Sequence, residues 1–136
     1  MVQVYYFRMF EKCKNSKKQG DIGVGEAISF FIKRGQTVLF PLSDSEPYDL
    51  VFDDGVKLNK VQVRTTACKS RHGKYQVNLR VLGGNQSFHT AQKFDNTKVD
   101  FLFVLTETTN KYLIPSVDIQ SKNTLNLGIK MEKYKI

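Results

Sequence analysis

The run Asp100–Leu105 (DFLFVL) restricts the fold more than any other segment of the chain. Five consecutive apolar residues behind one acid leave no polar face, so the run reads as a β-strand buried on both sides. Such a strand lies inside a sheet covered above and below, which points to an α/β or α+β architecture. A length of 136 residues suits one domain, 1–136, with a core at about 20–118 between a basic N-terminal lead-in and a C-terminal tail. No internal repeat and no linker rich in Pro, Gly or Ser divides it. Hydrophobic residues at 40% and charged residues at 25% exclude a disordered chain, a fibrous repeat and a coiled coil. No apolar run approaches the roughly 18 residues that span a bilayer. The start, MVQVYYFRMFEK, lacks the apolar core and small-residue cleavage site of a secretory signal. Cys13 and Cys68 are too few for a disulfide scaffold and form no CxxC pair; they read as free thiols, and the expected location is cytoplasmic.

Around this strand the pattern supplies the remaining elements. Ile22, Ala27, Ile28, Phe31 and Ile32 recur near a period of 3.6, predicting a helix capped by Asp21 and stopped at Gly35. Gly23 and Gly25 inside it cost about 1 kcal/mol each relative to Ala, which predicts close approach of another element to its first turns. Strands are expected at Thr37–Phe40, Tyr48–Phe52, Lys57–Thr65, Tyr75–Leu82, Asp100–Leu105 and Lys111–Ile114. Asp53-Asp54-Gly55 signals a hairpin joining the second strand to the third. Along the third, Leu58, Val61 and Val63 are assigned to one face, with Gln62 and Arg64 on the other. Past Val117 a short helical turn, a loose tail and a last strand through Leu125, Leu127 and Ile129 are expected.

The charge is concentrated. Of 21 Lys and Arg residues, eight fall between Lys57 and Phe94, a stretch with no Asp or Glu, and the other 13 are matched by the 13 acids. The whole formal net charge of +8 therefore belongs to this segment. A field focused this way attracts polyanions. The segment also holds Thr65, Thr66, Asn78, Asn85 and Gln86, polar side chains able to meet base edges, while Lys57, Lys60, Lys69, Arg71, Lys74, Arg80 and Lys93 suit phosphates. This mixture suits DNA or RNA better than a membrane surface, which would also require a strong apolar moment. For Asn78 and Arg80 a groove-facing and a solvent-facing placement stay open. The loop GGNQSFHT lacks the Lys and spacing of a nucleotide site. His89 has no Ser or Cys partner in a recognisable frame, so nucleophilic catalysis has no support.

Three residues distant in sequence carry candidate chemistry: Glu26 on the helix, Asp49 within a strand that should be mostly buried, and Gln62 on the neighbouring hairpin strand. A carboxylate inside a sheet is costly unless paired or bound to a cation. Arg64, two residues beyond Gln62, shares its face. Oxygen donors beside a fixed cation suit metal-assisted phosphodiester hydrolysis.

At GDIGVGEAISFFIKRG, VLFPLSDSEPYDLVFDDG and KVQVRTT the chain resembles the PD-(D/E)XK nuclease superfamily, and within it the small endonucleases encoded in group I introns. The resemblance covers roughly Gly20 to Thr66, and DFLFVL followed by YLIPS fits more loosely. It implies a restriction-endonuclease-like core, a central mixed β-sheet flanked by helices. It narrows the partner to double-stranded DNA, and it implies a homo-oligomer, dimer or tetramer, cutting both strands of a specific site with Mg²⁺, for which Mn²⁺ substitutes. Glu26 then corresponds to the helix acid, Asp49 to the central metal-binding Asp and Gln62 to the second acidic position, with the Val63 carbonyl as a further ligand. Arg64 stands at the usual lysine. Two departures follow: Gln62 is neutral and ligates Mg²⁺ more weakly than a carboxylate, and Arg64 remains protonated, so it stabilises charge and cannot act as a base. A Holliday-junction resolvase on the same fold, and a decayed nuclease that only binds DNA, are the competing expectations.

Overall fold

The computed structural model describes residues 8–11, 13, 15–80 and 92–136. The positions Asn85 and Gln86, the GGNQSFHT loop and the end of the Tyr75–Leu82 strand lie outside the described residues.

Helix α1 runs Ser16–Lys33 and begins earlier than the apolar period suggests. Its N-cap is Asn15, whose side chain accepts from Lys18 N at 2.8 Å, and Asp21 lies inside the helix. The turn Ser16–Gln19 is built of good helix formers with no apolar residue, so it leaves no periodic signature. Gly35, at φ +76°, follows the last turn as expected. The buried stripe is Gly23, Ala27 and Phe31, spaced by four, while Ile32 is 57% exposed.

Five strands form the main sheet: β1 (Thr37–Leu39), β2 (Leu50–Asp53), β3 (Leu58–Thr66), β5 (Phe101–Thr106) and β6 (Lys111–Pro115), in the order β1-β2-β3-β5-β6. The central pair β3–β5 is parallel, aligning Val61 with Phe101 and Arg64 with Val104; the other pairs are antiparallel. A parallel pair needs a long crossover. Here it passes through β4 (Gln76–Asn78), which pairs with β7 (Thr124–Asn126) in a second, two-stranded sheet.

The doubly buried strand is observed. Phe103 and Leu105 enter a cluster with Ala27, Phe31, Leu50 and Val63 beneath α1. Leu102 and Val104 enter the opposite cluster with Val77, Leu79, Ile114 and Leu125. Among the described residues the second cover is the β4–β7 sheet and short 3₁₀ turns at Ser116–Asp118 and Ile129–Tyr134, with α1 as the flanking helix on the other face. Leu125 and Leu127 pack inside this cluster, beyond the expected core limit at 118. The tail is tied down as well, since Ile136 N donates to Lys111 O at 2.9 Å. Leu58 has the parity of Gln62 and Arg64, not of Val61, and is 57% exposed.

Candidate active site at the end of β2

The hairpin sets the geometry. Gly55 takes φ +88°, and the Asp54 carboxylate accepts from Val56 N and Lys57 N at 2.8 Å each. These contacts hold the turn that aligns Leu50 with Val61. Asp49 therefore falls opposite Gln62, where β2 ends.

Asp49 N still donates to Val61 O at 2.9 Å. The chain then leaves the sheet toward Pro47. The next inward-pointing amide of β3, Val63 N, finds the Asp49 carboxylate in place of a strand carbonyl and donates to Oδ2 at 2.7 Å. In an extended strand the N–H and C=O of one residue project to the same edge, so the Val63 carbonyl opens into the same gap. It accepts from Arg64 Nη1 at 3.2 Å and keeps a second lone pair.

Val61 and Val63 face α1, so Gln62 and Arg64 face the other side of the sheet. Gln62 is 3% exposed, and its Oε1 is buried without a hydrogen-bond partner, as is Arg64 Nε. Buried polar atoms are normally paired, so these two mark a place for a ligand. Burial pushes the Asp49 carboxyl above its ordinary value, with the Val63 amide and then Arg64 opposing. Burial likewise lowers the Arg64 guanidinium, with Asp49 opposing. Neither charge is fully compensated by the other. Asp49 as a whole residue stays open to solvent on its outer side, although protein crowds its carboxylate from within. That open side leaves the carboxylate accessible from solution.

Glu26 does not join this group. Its carboxylate lies 3.2 Å from Lys111 Nζ, on the α1 side of the sheet, because α1 covers the face opposite Gln62 and Arg64. The donors brought together are one carboxylate, one amide oxygen and one main-chain carbonyl. Among the described residues no three of His, Cys, Asp and Glu converge.

The basic segment divides along β3. Lys57 pairs with Asp100 at 3.1 Å near the hairpin turn, and Lys60 lies exposed over the Tyr48 ring. Thr65 points to α1, accepting from Gln19 Nε2 at 3.0 Å, and Thr66 is buried with its hydroxyl on Gln76 O. Both hydroxyls are thus engaged within the protein. Lys69, Arg71 and Lys74 are exposed beyond β3, and Lys93 is exposed too. Asn78 accepts from Arg80 N at 3.0 Å, and Arg80 Nε donates to Asn123 at 3.0 Å, both on the surface. Sequence reasoning missed Gln19, Lys111 and Asp100. Only Asp100, a lone acid heading an apolar run, carried a local signal.

A mixed sheet with an Asp at the frayed end of one strand and a polar-x-basic pair on the next is the arrangement of a nuclease core. The family model for PD-(D/E)XK endonuclease matches residues 14–136, and the chain belongs to that family. Among solved structures, the bacterial homing endonuclease I-Ssp6803I matches with a TM-score of 0.70 at 32% identity, over 84% of this chain and 78% of that one. A comparison with curated proteins finds no match.

Proposed function

We propose that the protein is a site-specific endonuclease of the homing type that hydrolyses both strands of duplex DNA with Mg²⁺, Mn²⁺ serving as substitute. One observation carries the reading: the Asp49 carboxylate, held on Val63 N at 2.7 Å, stands beside the buried, unpartnered Oε1 of Gln62.

The donor set fits a hard cation, which prefers carboxylate, amide and carbonyl oxygens. Asp49, Gln62 and the Val63 carbonyl would hold it. A divalent ion there would supply Lewis-acid stabilisation of phosphate charge and make water a better nucleophile. The chain's own residues do the rest. Val63 N fixes the Asp49 carboxylate and leaves its second oxygen for the ligand. Arg64, always protonated, sets a positive charge beside the developing phosphate charge and accepts no proton. Glu26, paired with Lys111, contributes from the helix side by holding α1 against the sheet edge.

Each chain carries one such group, and a duplex has two strands. A dimer or a tetramer supplies the second cut. The test is incubation with Mg²⁺ and a library of randomised duplexes, followed by recovery of cut ends. Ends sharing one sequence, absent with Asp49→Ala, support the reading. DNA bound but never cut in Mg²⁺ or Mn²⁺ overturns it in favour of a decayed binding protein. Cleavage of four-way junctions without regard to sequence favours a resolvase.

A further inference from the structure

Beyond Thr66 the chain leaves the main sheet as a two-stranded ribbon that returns at Gln76. Gln76 N donates to Cys68 O at 2.8 Å, Lys69 bridges Tyr75, and Ser70 N donates to Lys74 O at 2.8 Å. Its tip, Ser70-Arg71-His72-Gly73, closes with Gly73 at φ +75°, a turn followed by a left-handed residue. The root is fixed: Thr66 clasps Gln76, Lys69 Nζ lies 5.0 Å from the Tyr75 ring centre, and Tyr75 OH donates to Glu107 at 3.3 Å. The tip is exposed, and among the described residues no ion pair engages Arg71.

We propose that this ribbon enters the DNA major groove and that Arg71 is a specificity-determining residue reading a guanine edge, with Lys74 on the flanking phosphates. The inference rests on the endonuclease reading and names the element that selects the sequence. Charge argues for DNA as occupant, since the ribbon lies within the segment free of Asp and Glu. Size argues for the groove. Two strands about 4.8 Å apart with their side chains overfill a minor groove about 6 Å wide and suit a major groove about 12 Å wide. An arm of about four residues reaches about 13 Å, more than the groove depth of about 8.5 Å. Chemistry argues for the base: Arg bonds bidentately to guanine O6 and N7. Seven residue steps of extended chain lead from Arg64 to Arg71, a backbone span of at most about 23 Å, so the base read lies within about seven base pairs of the cut.

The test is selection from randomised duplexes in EDTA, comparing wild type with Arg71→Ala and Lys74→Ala. The proposal expects Arg71→Ala to lose preference for guanine at one position per half-site, within about seven base pairs of the cut, while Lys74→Ala keeps the selected sequence and binds more weakly. Replacing that guanine by 7-deazaguanine should weaken wild-type binding about tenfold and leave Arg71→Ala unaffected. An unchanged selected sequence for Arg71→Ala, or equal sensitivity of both proteins to 7-deazaguanine, overturns the proposal while leaving the nuclease reading intact. Wild type that selects no sequence and cuts no duplex overturns the nuclease reading itself.

Discussion

Gly23→Ala places a methyl group where α1 meets the strand carrying the candidate site. A Cβ there lies 2.6 Å from Thr65 Cγ2 and 3.1 Å from Val63 Cγ1, whereas at Gly25 a Cβ meets nothing within 4 Å. Both substitutions gain about 1 kcal/mol of helix propensity. Only the first is overpacked, which costs about 1–3 kcal/mol. Thr65 cannot swing aside freely, since its Oγ1 accepts from Gln19 at 3.0 Å and its χ1 is stiff. The difference between the two variants isolates the contact: Gly23→Ala should be less stable than Gly25→Ala by about 1–3 kcal/mol, or about 4–12 °C in Tm. Urea and thermal unfolding followed by circular dichroism measure it. Thr65→Ser deletes the obstructing methyl while keeping the hydroxyl, so in the Gly23→Ala background it should recover about 1 kcal/mol more than it does in wild type. Equal stability of the two glycine variants, or additive behaviour of the double mutant, refutes the close approach. Because Val63 also holds Asp49, Gly23→Ala should slow DNA cleavage at temperatures where the protein is fully folded; a misplacement near 1 Å costs roughly a hundredfold.

Three further outcomes follow from the site and its charges. Asp49→Asn should reduce cleavage at least about a hundredfold and abolish the rise in Tm on adding Mg²⁺. It should not lower Tm in EDTA at pH 7, because a carboxyl raised by burial opposes folding once ionised; a large loss in EDTA would contradict that sign. Gln62→Glu adds a second acid opposite Asp49, so in EDTA it should destabilise by about 1–3 kcal/mol, with Mg²⁺ restoring more stability than it gives wild type in the same melt. Asp54 is held low by the Lys57 and Val56 amides, and Asp95 by Thr97. Asp100 is held low by the Lys60 amide and Lys57 against the opposing effect of burial. Folded values below the ordinary 3.8 contribute stability above that pH and lose it as pH falls through them, so with the oppositely shifted Asp49 removed as Asp49→Asn, urea midpoints should fall as pH drops below about 4.

What was legible in the sequence tracks how far apart the interacting residues lie along the chain. Asp49 and Val63 are 14 residues apart across one turn, so the Asp-Asp-Gly hairpin and strand alternation suffice to put Asp49 opposite Gln62 and to place Gln62 and Arg64 on the face opposite Val61 and Val63. The doubly buried β5 declared itself by lacking a polar face. The Glu26–Lys111 pairing was not legible, because order and spacing say nothing about which face of a sheet a helix covers. That is decided by Gly23, Ala27 and Phe31 meeting Val63 and Phe103, which turns Glu26 toward Lys111, 85 positions away. The intramolecular partners of Thr65 and Thr66 were hidden for a related reason. A threonine at the end of a strand is polar by composition, yet one hydroxyl is taken by Gln19, 46 residues earlier, and the other by the strand ten residues on. The strands β4 and β7 were each expected, within Tyr75–Leu82 and through Leu125, but they pair with each other across a similarly wide interval, which no local signal announces. Polar residues within one hairpin could therefore be assigned a direction from parity alone. Those whose partner lies on another element required the packing first; among the described residues the ribbon tip carries an exposed Arg71 engaged by no ion pair, as the proposed base contact requires.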